Sequence, residues 1–196
     1  RHLLTHTSDI QTYIPNRDQL NAEELRTAYL SLQPGEDLGK VVKYTDAGTI
    51  LLGFLLEKLY QKDVIDVFRQ EVLQPLSMSN SHFLLQPPYD KVVPTEKLVD
   101  GTILKGLTHD PKARVLAEHA GNAGLFSNMK DLSNFAKMYL NLGVVSDMIY
   151  LQDKTIQELL HDQTPTGKGE RSIGWDLKFS PLDHTPLLFH TGYTGT

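Results

Sequence analysis

The sequence predicts an α+β fold, with helices first and strands last. Three observations carry that prediction. Apolar residues recur at helical spacing in several segments before residue 161. Two short apolar runs of strand character, 172–177 and 187–190, lie together near the end of the chain. Strand and helix signals do not alternate, which argues against βαβ units and a parallel sheet. A chain of 196 residues, 40% hydrophobic and 22% charged, has the composition of one globular domain. Residues 1–165 are expected to form a mostly helical lobe, and 166–196 the start of a sheet.

The elements follow in order. Residues 21–33 read as a helix. Asn21 and Glu24 have the spacing of a capping box, and Leu25, Ala28, Tyr29 and Leu32 share one face before Pro34-Gly35 ends it. Residues 46–60 form the most apolar helix. Ile50, Leu51, Leu52, Phe54, Leu55, Leu56 and Leu59 cover nearly every face, which predicts central burial, with Asp46 as the cap. A second, amphipathic helix spans 63–73 and stops at Pro75. Residues 84–112 are rich in Pro, Gly and charge and read as a long functional connection. Residues 128–142 give a clean helix, with Leu132, Phe135, Ala136, Tyr139 and Leu140 on one stripe and Gly143 as its stop. A short helix at 154–160 precedes the two strands, which Ser180-Pro181-Leu182-Asp183 separates.

Composition excludes several functions. The net charge is -5 and no run of Lys or Arg exists, so a nucleic-acid partner is not expected. There is no cysteine, which removes disulfides, thiolate metal sites and a Cys nucleophile. No apolar stretch reaches the roughly 18 residues of a transmembrane helix. The chain starts at Arg1 without a methionine, so it is expected to be part of a longer protein.

Four small motifs could carry chemistry. His2 and His6 stand four apart, a ligand spacing on one helix face, but no third ligand accompanies them and a packing pair is the plainer reading. Thr166-Gly167-Lys168-Gly169 lacks the frame of a phosphate loop and reads as a solvated turn. Ser127 and Lys130 form the only Ser-x-x-Lys, in which Lys could activate Ser, or Ser127 or Asn128 could cap the following helix. Tyr44-Thr45-Asp46 puts a phenol and an acid at the start of the buried helix. There the helix dipole lowers the cost of a phenolate, and with a nearby cation Tyr44 could act as a general base; the alternative is a core Tyr beside a capping Asp.

Five stretches, in order, resemble the serine β-lactamase and penicillin-binding-protein superfamily, and most of all its class C-related esterases and D-amino-acid peptidases. They are "RHLLTHTS" (1–8), "YTDAGTILLGFLLEKLY" (44–60), "VLQPLSM" (72–78), "HDPKARVLAEHAGNAGLFSNMKDLSNFAKMYL" (109–140) and "HTGYTGT" (190–196). The resemblance implies a β-lactamase/transpeptidase-like α+β fold, here dominated by its helical lobe with the first strands of an antiparallel sheet. It implies a serine hydrolase that works through an acyl-enzyme on an ester, amide, D-peptide or β-lactam.

The same resemblance assigns roles. Tyr44 falls on the catalytic Tyr, and Asp46 on the Asn/Asp that orients substrate and lysine. His190, Thr191 and Gly192 line the substrate-binding strand, His190 standing where the usual triplet has Lys. The N–H of Tyr193 is an oxyanion donor, a type whose removal costs on the order of 100–1,000-fold in rate. The nucleophilic Ser-x-x-Lys is expected upstream of Arg1, making Ser127 a decoy and the segment inactive alone. No cofactor or metal is implied. The expected partner is a small-molecule or cell-wall peptide substrate, and open sheet edges are expected to pair two copies. The alternative is a non-catalytic relative that binds cell-wall peptides or a protein partner.

Overall fold

The computed structural model describes residues 1–165 and 171–192. Six α-helices and three two-stranded antiparallel sheets make up most of its regular structure among those residues, beside a 3-10 turn at Arg17–Gln19 and a π-helix at Arg69–Leu73. The helices are α1 (Ala22–Leu30), α2 (Asp46–Tyr60), α3 (Val64–Phe68), α4 (Pro111–Val115), α5 (Met129–Leu140) and α6 (Asp153–Leu159). The strands are β1 (Glu96–Lys97), β2 (Ile103–Leu104), β3 (Val144–Val145), β4 (Met148–Ile149), β5 (Asp176–Phe179) and β6 (Pro186–Phe189). β1 pairs with β2, β3 with β4 and β5 with β6. The α+β prediction is borne out.

Two apolar clusters hold the helices. In the first, Leu25 and Tyr29 of α1 meet Ala47, Ile50 and Phe54 of α2, with Ile14 and Leu116 closing the sides. Fully burying a side chain such as Leu25 or Ile50 contributes about 1.5–3 kcal/mol. The second joins Leu73, Leu76 and Met78 to Met138 of α5 and Ile156 of α6. Backbone contact adds to the first cluster. Gly53 of α2 faces Gly121, and a Cβ on Gly121 would strike the Thr49 carbonyl. That close approach needs glycine on both sides.

Local chemistry explains most boundaries. α1 starts with the predicted capping box: Asn21 accepts from the Glu24 N–H at 3.0 Å, and the Glu24 carboxylate accepts from the Asn21 N–H at 2.9 Å. Asn128 caps α5 by accepting from the Asp131 N–H at 2.9 Å. Asp46 does not cap α2. Thr45 does so, accepting from the Ala47 N–H at 3.1 Å, which leaves the Asp46 carboxylate free to pair elsewhere.

Four expectations are corrected. α2 is not buried all round, since Leu55 and Leu59 are 44% and 67% exposed, while Ala47, Ile50 and Phe54 enter the first cluster. The helix of 63–73 widens into a π-helix over Arg69–Leu73, with the Gln74 N–H donating to the Arg69 carbonyl at 3.0 Å. The connection 84–112 is partly ordered, holding β1, β2 and the start of α4, where Asp110 caps and Pro111 takes the first helical position. The first C-terminal strand begins at Asp176, not 172. The Ser172 N–H donates to the Trp175 carbonyl at 3.0 Å and Gly174 has φ +79°, so these residues turn before the strand can start. The β5–β6 hairpin docks on α5 through Trp175, which packs edge-on against Tyr139 at 5.6 Å between ring centroids and lies 6.2 Å from Phe135.

Asp131 is fully buried at the start of α5. It accepts from the Asn80 N–H at 2.7 Å and from Ser81 Oγ at 2.8 Å. Burial opposes its charge, but these bonds from Ser81 and Asn80 hold its pKa below the ordinary value. A depressed carboxyl contributes stability above its unfolded pKa and loses it as pH falls through the folded one. Asp131→Ala should cost about 1–3 kcal/mol at neutral pH, because Ser81 and Asn80 lose their acceptor. The cost should shrink below the ordinary value of 3.8, as chemical denaturation across pH would read.

Candidate active site

The site is built around the first segment of the chain. Residues 1–6 form turns, so His2 and His6 share no helix face and the two-ligand reading fails. His2 is exposed, with Nδ1 2.8 Å from Thr7 Oγ1, whereas His6 is buried. His6 adopts φ 53°, in the left-handed region. The Lys43 N–H donates to its carbonyl at 2.8 Å, and the Thr45 N–H to its Nδ1 at 3.3 Å. Accepting at Nδ1 fixes the tautomer, with the proton on Nε2. Burial, then the charges of Arg171 and His190, lower the His6 pKa to about 4.

Tyr44 lies against this histidine, just ahead of α2. Its ring centroid is 4.6 Å from that of His6 and 6.4 Å from that of His190, which follows β6. The Arg171 guanidinium carbon lies 5.5 Å from the Tyr44 ring centroid. Tyr44 remains 59% exposed, open to a ligand. Its phenol is raised above the ordinary value by partial burial and by the Asp46 carboxylate, while Arg171 and Lys112 pull the other way. Burial and the Asp46 carboxylate thus work against the phenolate that the sequence argument favours.

Asp46 is tied to Lys112 of α4 by an ion pair, and Lys112 also meets Asp110 at 3.3 Å. Burial opposes the charge on Lys112, but these two carboxylates raise its pKa. His190 donates from Nδ1 to the Thr191 carbonyl at 2.7 Å. Thr191 and Gly192 are exposed and follow the end of β6. Tyr193 and the turn 166–169 lie outside the described residues. Ser127 sits elsewhere in the hydrogen-bond pattern: its Oγ is 2.7 Å from Ser81 Oγ, next to the Asp131 cap, and Lys130 is exposed. No group of three His, Asp or Glu able to hold a metal occurs among the described residues.

Of the predicted residues, Tyr44 and His190 come together, and Asp46 acts on Tyr44 through its charge. Sequence reasoning missed His6, Arg171 and Lys112 as members of the same cluster. Lys112 is 66 residues from Asp46, and no spacing rule reports such a pair.

The helical body joined to antiparallel strands has a β-lactamase/transpeptidase-like fold, which solved structures of that class share. The family described as Beta-lactamase matches residues 1–196, and the chain belongs to it. It is 31% identical over 180 residues to N-acetylmuramyl-L-alanine amidase of Bacillus subtilis (strain 168), covering 78% of this chain and 40% of that protein. It is 26% identical over 200 residues to a putative D-alanyl-D-alanine carboxypeptidase of Escherichia coli (strain K12), covering 89% and 44%. The fold matches the beta-lactamase/D-alanine carboxypeptidase of Pseudomonas syringae with a TM-score of 0.66 at 17% identity, over 92% of this chain and 48% of that one. The chain thus spans less than half the length of these relatives.

A histidine with a lowered pKa loses stability as pH falls, because the unfolded state takes up a proton that the folded state refuses. His6 should therefore make folding stability decline from about pH 6.5 down to about pH 4. His6→Gln should flatten that stretch of the profile, and ring NMR should find one histidine titrating near the lower value.

Proposed function

We propose that the chain is the tyrosine-bearing part of a penicillin-binding-protein-like serine hydrolase. Its reaction is acyl transfer: a serine attacks an amide or peptide carbonyl, the amine leaves, and water cleaves the acyl-enzyme. The observation that carries the reading is the grouping of exposed Tyr44, just ahead of α2, with His6 and with Arg171 and His190 at the two ends of the β5–β6 hairpin. Tyr44 takes the proton of the nucleophile and returns it to the leaving amine. Asp46 orients the basic groups around it. His190, Thr191 and Gly192 bind substrate along the strand, and the Tyr193 N–H is the oxyanion donor.

The nucleophilic Ser-x-x-Lys is contributed by sequence outside these residues. Support comes from the engagement of Ser127 with Ser81, and from relatives more than twice as long as the match to them. The substrate class is a cell-wall peptide or a related amide, in keeping with the names of the two curated relatives. Ester and β-lactam substrates are the other acyl donors the same chemistry accepts. The β5–β6 hairpin pairs only with itself among the described residues, which supports further strands or a second copy along its edges. A second reading, a non-catalytic binder of cell-wall peptides, is favoured by His190 and Asp46, which stand where the family pattern has Lys and Asn.

Hydrolysis of a peptide ending in D-Ala-D-Ala separates the two readings. In the full-length protein, Tyr44→Phe should lower kcat by about 100- to 10,000-fold. Binding without turnover in the wild type would favour the second reading, and unchanged turnover in the variant would remove Tyr44 from catalysis. Residues 1–196 alone should gain no mass from a fluorophosphonate or a penicillin. A mass shift on Ser127 would overturn the placement of the nucleophile.

A further inference from the structure

Charged and titratable groups face Tyr44 from several elements. His6 lies on the ring from the first segment, and His190 from the end of β6. Asp46 acts from the first turn of α2, and Lys112 from α4. Arg171 reaches the ring from the turn before β5. Lys112 is matched by two carboxylates, Asp46 and Asp110, and a histidine carries no permanent charge. Arg171 is always charged. It is also held: its Nη2 donates to Asp176 Oδ1 at 2.7 Å, with only 14% and 16% of the two side chains exposed. The backbones of the same two residues bridge across the turn. A guanidinium fixed at both ends in this way does not swing out to solvent.

We propose that Arg171, clamped by Asp176, is the positioning residue of Tyr44, seating its ring beside His6 and supplying the fixed positive charge in whose field the phenol exchanges its proton. A cation near the aromatic ring favours phenolate over phenol, and does so more strongly where water is excluded. Asp176 sets the strength of that field. It withholds part of the charge from Tyr44 while keeping the guanidinium in place. Arg171 acts on both sides of the ring stack: it draws the Tyr44 phenol down against burial and Asp46, and after burial it is the next cause of the low pKa of His6. Burial of an arginine here is therefore more than a structural ion pair. The catalytic consequence rests on the acyl-transfer reading of Tyr44, whereas the electrostatic pairing does not.

Ring NMR titration of tyrosine and histidine in the full-length protein tests this, with Tyr44→Phe assigning the Tyr44 signal. Arg171→Met should raise the titration midpoints of both Tyr44 and His6, and Arg171→Lys should largely restore them. Asp176→Asn should move both midpoints down, because it unmasks the guanidinium. Opposite shifts from the two halves of one ion pair are a signature that loss of structure does not produce. If Arg171→Met fails to fold, the downward shift in Asp176→Asn still carries the test. A Tyr44 midpoint unmoved in both variants, or moved the same way in both, would overturn the proposal. The pH–rate profile should shift with Tyr44. A Tyr44 that titrates as expected while the rate profile stays still upholds the pairing and sinks the acyl-transfer role of Tyr44.

Discussion

Residues 4–7 run through the interior, and a buried backbone must find hydrogen-bond partners there. The partners come from two parts of the chain. The Leu4 carbonyl accepts from the Gly174 N–H at 2.9 Å, ahead of β5. The His6 and Thr7 carbonyls accept from the N–H groups of Lys43 and Gly39, each at 2.8 Å, ahead of α2. One short polar segment thereby holds the entrance to α2 and the entrance to β5 in register. Tyr44 and Arg171 sit on those two entrances. The segment brings their backbones within reach of each other, and the Arg171 side chain then meets the Tyr44 ring.

The helical body secures the same arrangement from behind. The first apolar cluster fixes α2 on α1, and the Gly53–Gly121 contact brings the loop before α5 against α2. The Lys112–Asp46 pair ties α4 to the first turn of α2, close to Tyr44. A surface ion pair adds little, but this one is half-buried and its lysine has two acceptors, so its geometry is determined. The strand side is lighter. Four register pairs join β5 to β6, and the aromatic contact of Trp175 with Tyr139 and Phe135 anchors the hairpin to α5.

Local signals in the sequence were read well, and long-range ones poorly. The ends of α2 follow from Thr45-Asp46 and from the run of good helix formers, and the capping box of α1 needs only Asn21 and Glu24. Both are decided within four residues. The exposure of Leu55 and Leu59 is not: an apolar stripe states that a face can be buried, and only the tertiary structure states against what. β5 starts later than the apolar run suggests because Gly174 allows a turn at Ser172-Ile173 that the Arg171–Asp176 pairing then closes. For the site, the ordered motifs pointed to Tyr44 and His190. His6 was seen only as half of a metal-ligand spacing, and Arg171 carried no motif at all. Each joins the site through tertiary contact, which periodicity and caps do not encode.

Trp175 is the single tryptophan of the chain, and it lies where the hairpin bearing the candidate site meets the helical body. Its indole N–H donates to the Tyr139 hydroxyl at 3.3 Å, so its surroundings are part polar and part aromatic. Residues 1–196 thus carry an optical probe at one seam. In this segment, emission from the indole reports whether the hairpin is seated on α5, and a ligand that shifts the hairpin would be visible by fluorescence without any added label.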